Sequence, residues 1–593
     1  MKKHYETHVE DTDKLISVAG PVLDYKSWYE QYRKLMEEQA QRKYGLYTPT
    51  SEGDDDNFPS IPGITARYSA LGLTNEQMAE NPVWKDLMGN GHDLQMKNFA
   101  WGGMSGVGGY TENYNSNRWY KVGSRIDVTW TYKSFNVKSI KNHNFAQLFY
   151  QSSPSDTGFR VLSCTIKVSG LTDGQGIEYV SNGTQQFVIM RIENDGIYHL
   201  PSFDFGAKNA YYGFRFLKLQ ESCNITIEQL PLYPGALVFD GVDDWAGCDN
   251  LPLLPKEKGY SIIALRNWIT RYNATQYKRP LISNLDTNDE GAFLIEYRKD
   301  ENVNDVTGSY NSFTDVYIDD NNPITWQTSS SYNGQIIKKG TSKSTNKLCI
   351  CKTYFGHLSN YANAAIWEIV ILDHDATEEE LTKIKDYFVK TYPWLFPDQA
   401  WTVTGKTNED EDRATIANIT GNGNNLVLSN FGFAEGSGYN EQGEYAGYLV
   451  TDGVDDKITS SIFEMGNDWT IIGDWELINT EKKDNAGIVK FNSIVIYNYN
   501  PILINIKNGR NNLIPDQNTV NAICSDGRIY SKDWKESIYN EETESTSKNF
   551  LTIGYSGNSY TKIAFKNLAI YPTVLSKENC IKAYNYLQTL KAK

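Results

Sequence analysis

Residues 89–99 read GNGHDLQMKNF, and residues 421–431 read GNGNNLVLSNF. The strings stand 332 positions apart and contain no obvious catalytic residue, so their recurrence speaks first to architecture. Downstream of each copy lies a second shared string, GALVFDGVDD at 235–244 and GYLVTDGVDD at 447–456. Here the offset is 212. YSII at 260–263 matches WTII at 469–472 in nearly the same register. The closing IWEIVILDHDATEEELTKIKDYF (366–388) aligns without a gap on FKNLAIYPTVLSKENCIKAYNYL (565–587). One unit is therefore written twice.

The fall in offset from 332 to 212 means that the first copy carries about 120 extra residues between its two strings, which is the size of a small domain. GGMSGVGG (102–109) makes a turn-rich entry and PLYPG (231–235) a turn-rich exit. Between them, SRIDVTWTY, GFRVLSCTIKVSG, QQFVIMRI, YYGFRFLKL and CNITIEQL alternate apolar and polar residues between turn clusters. That pattern predicts half-buried antiparallel strands and an inserted β-sandwich. Each repeat ends on a strand followed by one amphipathic helix, capped by Thr377 or Ser576, and the spacing predicts this helix as a lid on the sandwich edge.

Composition agrees with a β-rich modular chain: 593 residues exceed one hydrophobic core, and 40 Tyr, 23 Phe and 14 Trp stand beside abundant turn formers. A net charge of -16 disfavours nucleic acid as a partner. No apolar run of spanning length predicts membrane insertion, and the start MKKHYETHVEDTDKLISVAG has no signal-peptide core. The seven cysteines form no CxxC pair and read as mostly buried free thiols.

The strings at 84–94, 235–244 and 366–388, repeated in the same order in the second copy, resemble concanavalin A-like, laminin-G-like jelly-roll modules. The resemblance implies an all-β fold: tandem jelly-roll β-sandwiches, one carrying an inserted β-sandwich, plus an N-terminal helix. The boundaries read as 1–63 for a helical attachment arm and linker and 64–110 for the first part of the first jelly roll. The insert then takes 111–233, the rest of the first jelly roll 234–397, and the second jelly roll 398–593. Tandem modules written this way also resemble virion proteins of tailed bacteriophages of gut Bacteroidetes, including the crAss-like group. That resemblance implies assembly in the host cytoplasm, residence in the virion as a fibre, decoration or tail-associated protein, other virion proteins as partners, and host or mucus glycans as possible ligands.

In the arm, Tyr25, Trp28, Tyr29, Tyr32 and Leu35 fall at helical spacing. A lone helix cannot bury such a stripe, so it is expected to attach to the virion, to the chain's own modules or to sister copies in a homo-oligomer. Trp119, Tyr120, Trp245, Trp326 and Tyr332 lie in turn-rich contexts and are candidate sugar-stacking residues. Asp243, Asp244, Asp455 and Asp456 read either as turn carboxylates or as Ca²⁺ ligands; no other cofactor is expected. No E-x-D-x-x-E, HExxH or nucleophile motif occurs, and Asp474 with Glu476 is the nearest approach to a carboxylate pair on one strand face. The sequence expectation is thus a non-catalytic display protein, with pure virion assembly and a glycan-cleaving depolymerase as alternatives.

Overall fold

The computed structural model describes residues 57–592 except 152–159, 182–187, 205–210, 256–257, 271–277, 287–291, 299–310, 315–322, 330, 333–334, 337–342, 353–360, 442–444, 465, 479–486, 492–493, 498–501, 507–509, 515–519, 539–550 and 557–558. The chain divides into two units, Met1–Asp56 and Asn57–Lys593. The arm residues Tyr25, Trp28, Tyr29, Tyr32 and Leu35 fall in the first and lie outside the described residues.

The second unit is all-β and built of sandwiches. Strands from 64–107 and 237–372 form an eight-stranded and a seven-stranded sheet. Strands from 399–571 form two eight-stranded sheets, and strands from 119–229 form two five-stranded sheets. Each pair of sheets encloses its own apolar core, with Trp84, Phe239 and Ile282 in the first, Trp401, Leu428 and Phe565 in the second, and Trp119, Phe135 and Phe214 in the insert.

The repeated strings hold each other. In both GNG loops the two glycines, Gly89 and Gly91 or Gly421 and Gly423, have positive φ, which a side chain would strain. Asp86 accepts the backbone N–H groups of Arg67 (3.1 Å) and Met88 (3.0 Å), while Asn418 accepts those of Ala400 (3.3 Å) and Thr420 (3.0 Å) at the equivalent place. At the far end of the string Asn98 donates to Asp243 O at 3.0 Å, and Asn430 to Asp455 O at 2.9 Å, each from φ +68°. In each copy the loop is thus latched to the Asp-rich turn beside it, although about 120 more residues separate the two strings in the first copy. An Asn suits this latch because it tolerates the left-handed region and still carries a donor.

The terminal strand Asn363–Leu372 pairs with Ile64–Ser69, Leu237–Asp240 and Ser261–Thr270, and nine of its ten residues are buried. One face looks into the sandwich. The other meets a helical layer made of Glu378–Thr391, Pro393–Leu395 and Lys577–Leu587. Leu381, Ile384 and Phe388 from the first helix and Tyr584, Tyr586 and Leu587 from the second share one core with Val370 of the first module and Ile472 and Ala569 of the second. Trp367 meets Tyr586 edge-on at 6.2 Å. The expected edge lid is therefore a layer between modules, because each helix is apolar over more surface than one sheet edge can cover. Thr377 caps its helix with the full capping box to Glu380, and Ser576 caps the second from Asn579 N–H.

The insert joins the same body through one of its two sheets. His199, on the Gly196–Leu200 strand, lies edge-on against Tyr584 at 5.6 Å, and Asn585 Nδ2 donates to Pro231 O at 3.3 Å. Burial lowers the His199 pKa to about 4 against the opposing pull of Asp474.

Candidate functional site

The remaining insert sheet runs in the order Val188–Ile192, Gly176–Ser181, Tyr211–Leu219, His143–Gln151, Trp119–Val122, and its strands alternate cleanly between two faces. Inward go Trp119, Leu148, Phe214, Tyr179 and Ile177, all buried. The outward face is read from the pairing register. One row crosses Val122, Gln147, Arg215, Glu178 and Arg191. Flanking it on one side are Tyr120, Phe149, Gly213 and Val180, and on the other Phe145 and Leu217.

Exposure divides this face into two halves. Tyr120 (38%), Val122 and Phe145 (55%) present an apolar shelf at the edge formed by the Trp119–Val122 and His143–Gln151 strands. Phe149 is buried beside them under the stacked ring of Tyr211, 4.3 Å away. A Cβ on Gly213, at φ +151°, would collide with Leu148 O of the neighbouring strand, so glycine is required there, and its row with Phe149 and Val180 is buried. Across the sheet, Glu178 is only 3% exposed and lies between two guanidinium groups. Arg215 donates to Glu178 Oε2 through Nε (2.6 Å) and its terminal amino group, and Arg191 Nε reaches Oε1 at 3.1 Å. The Arg191 side chain is 68% exposed, and its other N–H groups have no partner among the described residues.

Of the five aromatic candidates, Tyr120 stands on this outward face. Trp119, its chain neighbour, does not: it is 6% exposed and packs among Tyr114, Phe135, Tyr212 and Phe214. This corrects the expectation for Trp119. A one-residue step along a strand reverses the side chain, and the inward parity belongs to the bulkier ring. Trp245 is half-buried with Lys352 Nζ 4.7 Å over its ring, and Trp326 is half-buried against the helical layer near Lys385. Tyr332 lies on the short Ser331–Tyr332 strand, its side chain outside the described residues. Arg191, Arg215, Glu178, Gln147 and Phe145 went unmarked by sequence reasoning. The available signal was a charge set inside the apolar runs GIEYVS, VIMRI and YYGFRFLKL, but only pairing register shows that these charges share one row.

The Asp-rich turns gather Asp240, Asp243 and Asp244 in one copy and Asp452, Asp455 and Asp456 in the other. Asp240 Oδ1 accepts from the N–H groups of Val242 (2.7 Å) and Asp243 (3.3 Å), and Asp244 Oδ2 accepts from Asp240 N–H (3.0 Å). Asp452 and Asp456 repeat these bonds. Burial, first among the causes, pushes the Asp244 carboxyl up to about 7 and that of Asp456 up to about 6. Backbone amides thus take one oxygen of each buried carboxylate, Oδ2 of Asp244 and of Asp456, as turn chemistry requires. Asp456 Oδ1 accepts from Ser437 Oγ at 3.1 Å, whereas the buried Asp244 Oδ1 has no partner among the described residues. A cleft on the first module, lined by Asn90, His92, Pro252, Leu253, Lys258 and Asp373, has its backbone rim fixed by Tyr68 OH on His92 O at 2.6 Å. At the place of His92 the second copy has Asn424, whose side chain is bonded to Gln399 and Ser461.

No protein-family model and no curated protein matches the sequence. Solved structures do match. Trypanosoma rangeli sialidase in complex with sialic acid is 8% identical, with 80% of this chain and 85% of that chain covered at a TM-score of 0.25. The CBM22-1-CBM22-2 tandem domain of Paenibacillus barcinonensis Xyn10C is 11% identical over 47% of this chain and all of that one, at 0.15. Superpositions this loose carry no argument about chemistry. Enzymes stand among the structures this chain resembles, so a missing motif on a β scaffold gives no ground for excluding catalysis, and the non-enzyme expectation is withdrawn.

Proposed function

We propose that this chain is a virion surface protein of a tailed bacteriophage that binds glycans, with the outward sheet face of the insert as its sugar platform. The observation that carries the glycan part is the joint presence, on the outward face of one sheet, of an exposed aromatic shelf (Tyr120, Phe145) and a row of polar and charged groups (Gln147, Arg215, Glu178, Arg191) that ends on the exposed Arg191. Aromatic faces cover the apolar side of a pyranose ring while the polar row meets its hydroxyls. The face points away from the sheet that packs on the second module, so binding needs no rearrangement of the body.

The virion part rests on the repeated strings and their resemblance to phage modules. In this reading residues 64–110 with 234–397, 111–233, and 398–593 are folding domains, and residues 1–63 are the attachment arm, acting through Tyr25, Trp28, Tyr29, Tyr32 and Leu35. Ca²⁺ at Asp243, Asp244, Asp455 and Asp456 is a separate proposal. A glycan array read with and without a chelator tests both: Tyr120→Ala should lose bound glycans, and chelation should change binding only if these turns hold an ion. Mass spectrometry of purified particles tests the rest. Absence of the chain from intact virions, or wild-type incorporation after deletion of residues 1–60, overturns the virion reading.

A further inference from the structure

We propose that the platform selects carboxylated glycans, with the acidic sugar on the Arg191 and Arg215 half and neutral rings on the Tyr120 and Phe145 half. This rests on the glycan reading above and adds the ligand's chemical class. The charge count along the row supports it. Glu178 supplies one negative charge and the two arginines two positive ones, so the row carries a net positive charge on a protein whose overall charge is -16. A neutral sugar gains hydrogen bonds from that row but no charge attraction.

Glu178 explains how the cation is aimed. A carboxylate 3% exposed is costly to bury unless paired, and here both of its oxygens are taken by guanidinium groups. Its role is to orient them. Arg215 meets it through two nitrogens and so neutralises it, whereas Arg191 spends Nε alone and turns the rest of a planar donor fork to solvent. A guanidinium fork matches a carboxylate with two parallel N–H···O bonds. Beside this pair Gly213 and Val180 are buried, so the accessible path from Arg191 to the apolar shelf runs along the part-exposed Arg215 and Gln147.

The separation of the two halves fixes a minimum size. Five strands at about 4.8 Å spacing put Arg191 about 19 Å from Val122 and its apolar neighbours. One sugar cannot touch both ends. The ligand that uses the whole row is an oligosaccharide chain with at least one carboxylate, and the matching polarity sets its direction across the sheet.

The test compares three probes on the full chain: oligogalacturonates of four or more units, their methyl esters, which keep the ring and lose the charge, and dextran sulfate. A glycan array containing sialylated and other uronate chains is run beside them. The carboxylated set should bind at least about tenfold more tightly than esters or neutral chains, as expected when a charge-assisted hydrogen bond is lost. Arg191→Gln, with the chain still unfolding cooperatively, should erase this preference, Arg191→Lys should restore part of it, and Tyr120→Ala should weaken acid and ester alike. Equal binding of acids and neutral chains, or an unchanged preference in Arg191→Gln, overturns carboxylate selection while leaving the glycan reading intact. Dextran sulfate bound as tightly and indifferent to Arg191→Gln means general charge attraction and overturns it too. No binding to any glycan on the array removes both readings.

Discussion

The two jelly rolls solve the same problem differently at one point of their terminal strand. In the first, Glu368 is fully buried facing the helical layer, where its carboxylate accepts from Arg67 Nε (3.2 Å), Tyr387 OH (3.0 Å) and Tyr392 OH (2.8 Å). Phe58 lies 3.9 Å from the Arg67 guanidinium, closing the pair from the other side. In the second, the equivalent residues are Ala400 and Asn567, and the buried Asn567 amide has no partner among the described residues. The copies share backbone register almost residue for residue, yet one carries an ion pair and the other a small residue and an amide. Backbone hydrogen bonds and latching turns define the module. Side chains on the helix-facing strand surface are free to diverge provided they do so in pairs.

That pairing rule is open to attack, and its largest consequence comes first. Arg67→Ala strands the Glu368 charge and should cost about 3–5 kcal/mol in urea unfolding of the full chain. Adding Glu368→Asn, which copies the second module, should recover most of that loss. If the double variant is no better than the single, the two copies are not alternative solutions of one site. An effect of similar size separates neighbours in the insert: Trp119→Ala should cost about 3–5 kcal/mol by emptying the core, whereas Tyr120→Ala should stay within about 0.5 kcal/mol. Equal costs would show that the strand parity is misread.

Smaller effects sharpen what the copies share. Asn98→Ala and Asn430→Ala each remove the latch from the Asp-rich turn and place Ala at positive φ, so each should lower stability by about 1–2 kcal/mol. A large difference between them would mean that only one turn depends on its loop. The smallest effect is in pH. Because Asp244 and Asp456 hold their protons in the folded chain up to about 7 and 6, while an unfolded Asp loses its proton near 3.9, stability falls as pH rises through that interval. Asp244→Asn keeps an oxygen for Asp240 N–H and should flatten the curve of thermal midpoint against pH between 4 and 7. Asp456→Asn should flatten it less and over a narrower range.

Much of the fold was legible because repetition exposes what local chemistry demands. Two glycines at positive φ around an Asn, an Asx carbonyl or carboxylate receiving backbone amides, and a Thr or Ser cap before an apolar helix face all leave fixed letters at fixed spacing. The site was less legible. Tyr120 was found by its context, but the same context also offered Trp119, and nothing local distinguishes adjacent aromatic residues on a strand of unknown parity. Arg191, Glu178 and Arg215 stand 13 and 37 positions apart and come together only through antiparallel register.

The sequence by itself determined the repeat, the β character, the cap and turn positions and the presence of an insert, because those follow from backbone dihedral preferences and the period of apolar residues over a few neighbours. Tertiary structure decided three other things: that the closing helices form a layer shared by two modules, that a lone Glu in a strand has a buried Arg or its neighbour's absence as its context, and that an aromatic shelf and two arginines share one face. Each depends on which strand lies beside which, and a one-residue slip in that pairing would turn every side chain to the opposite face.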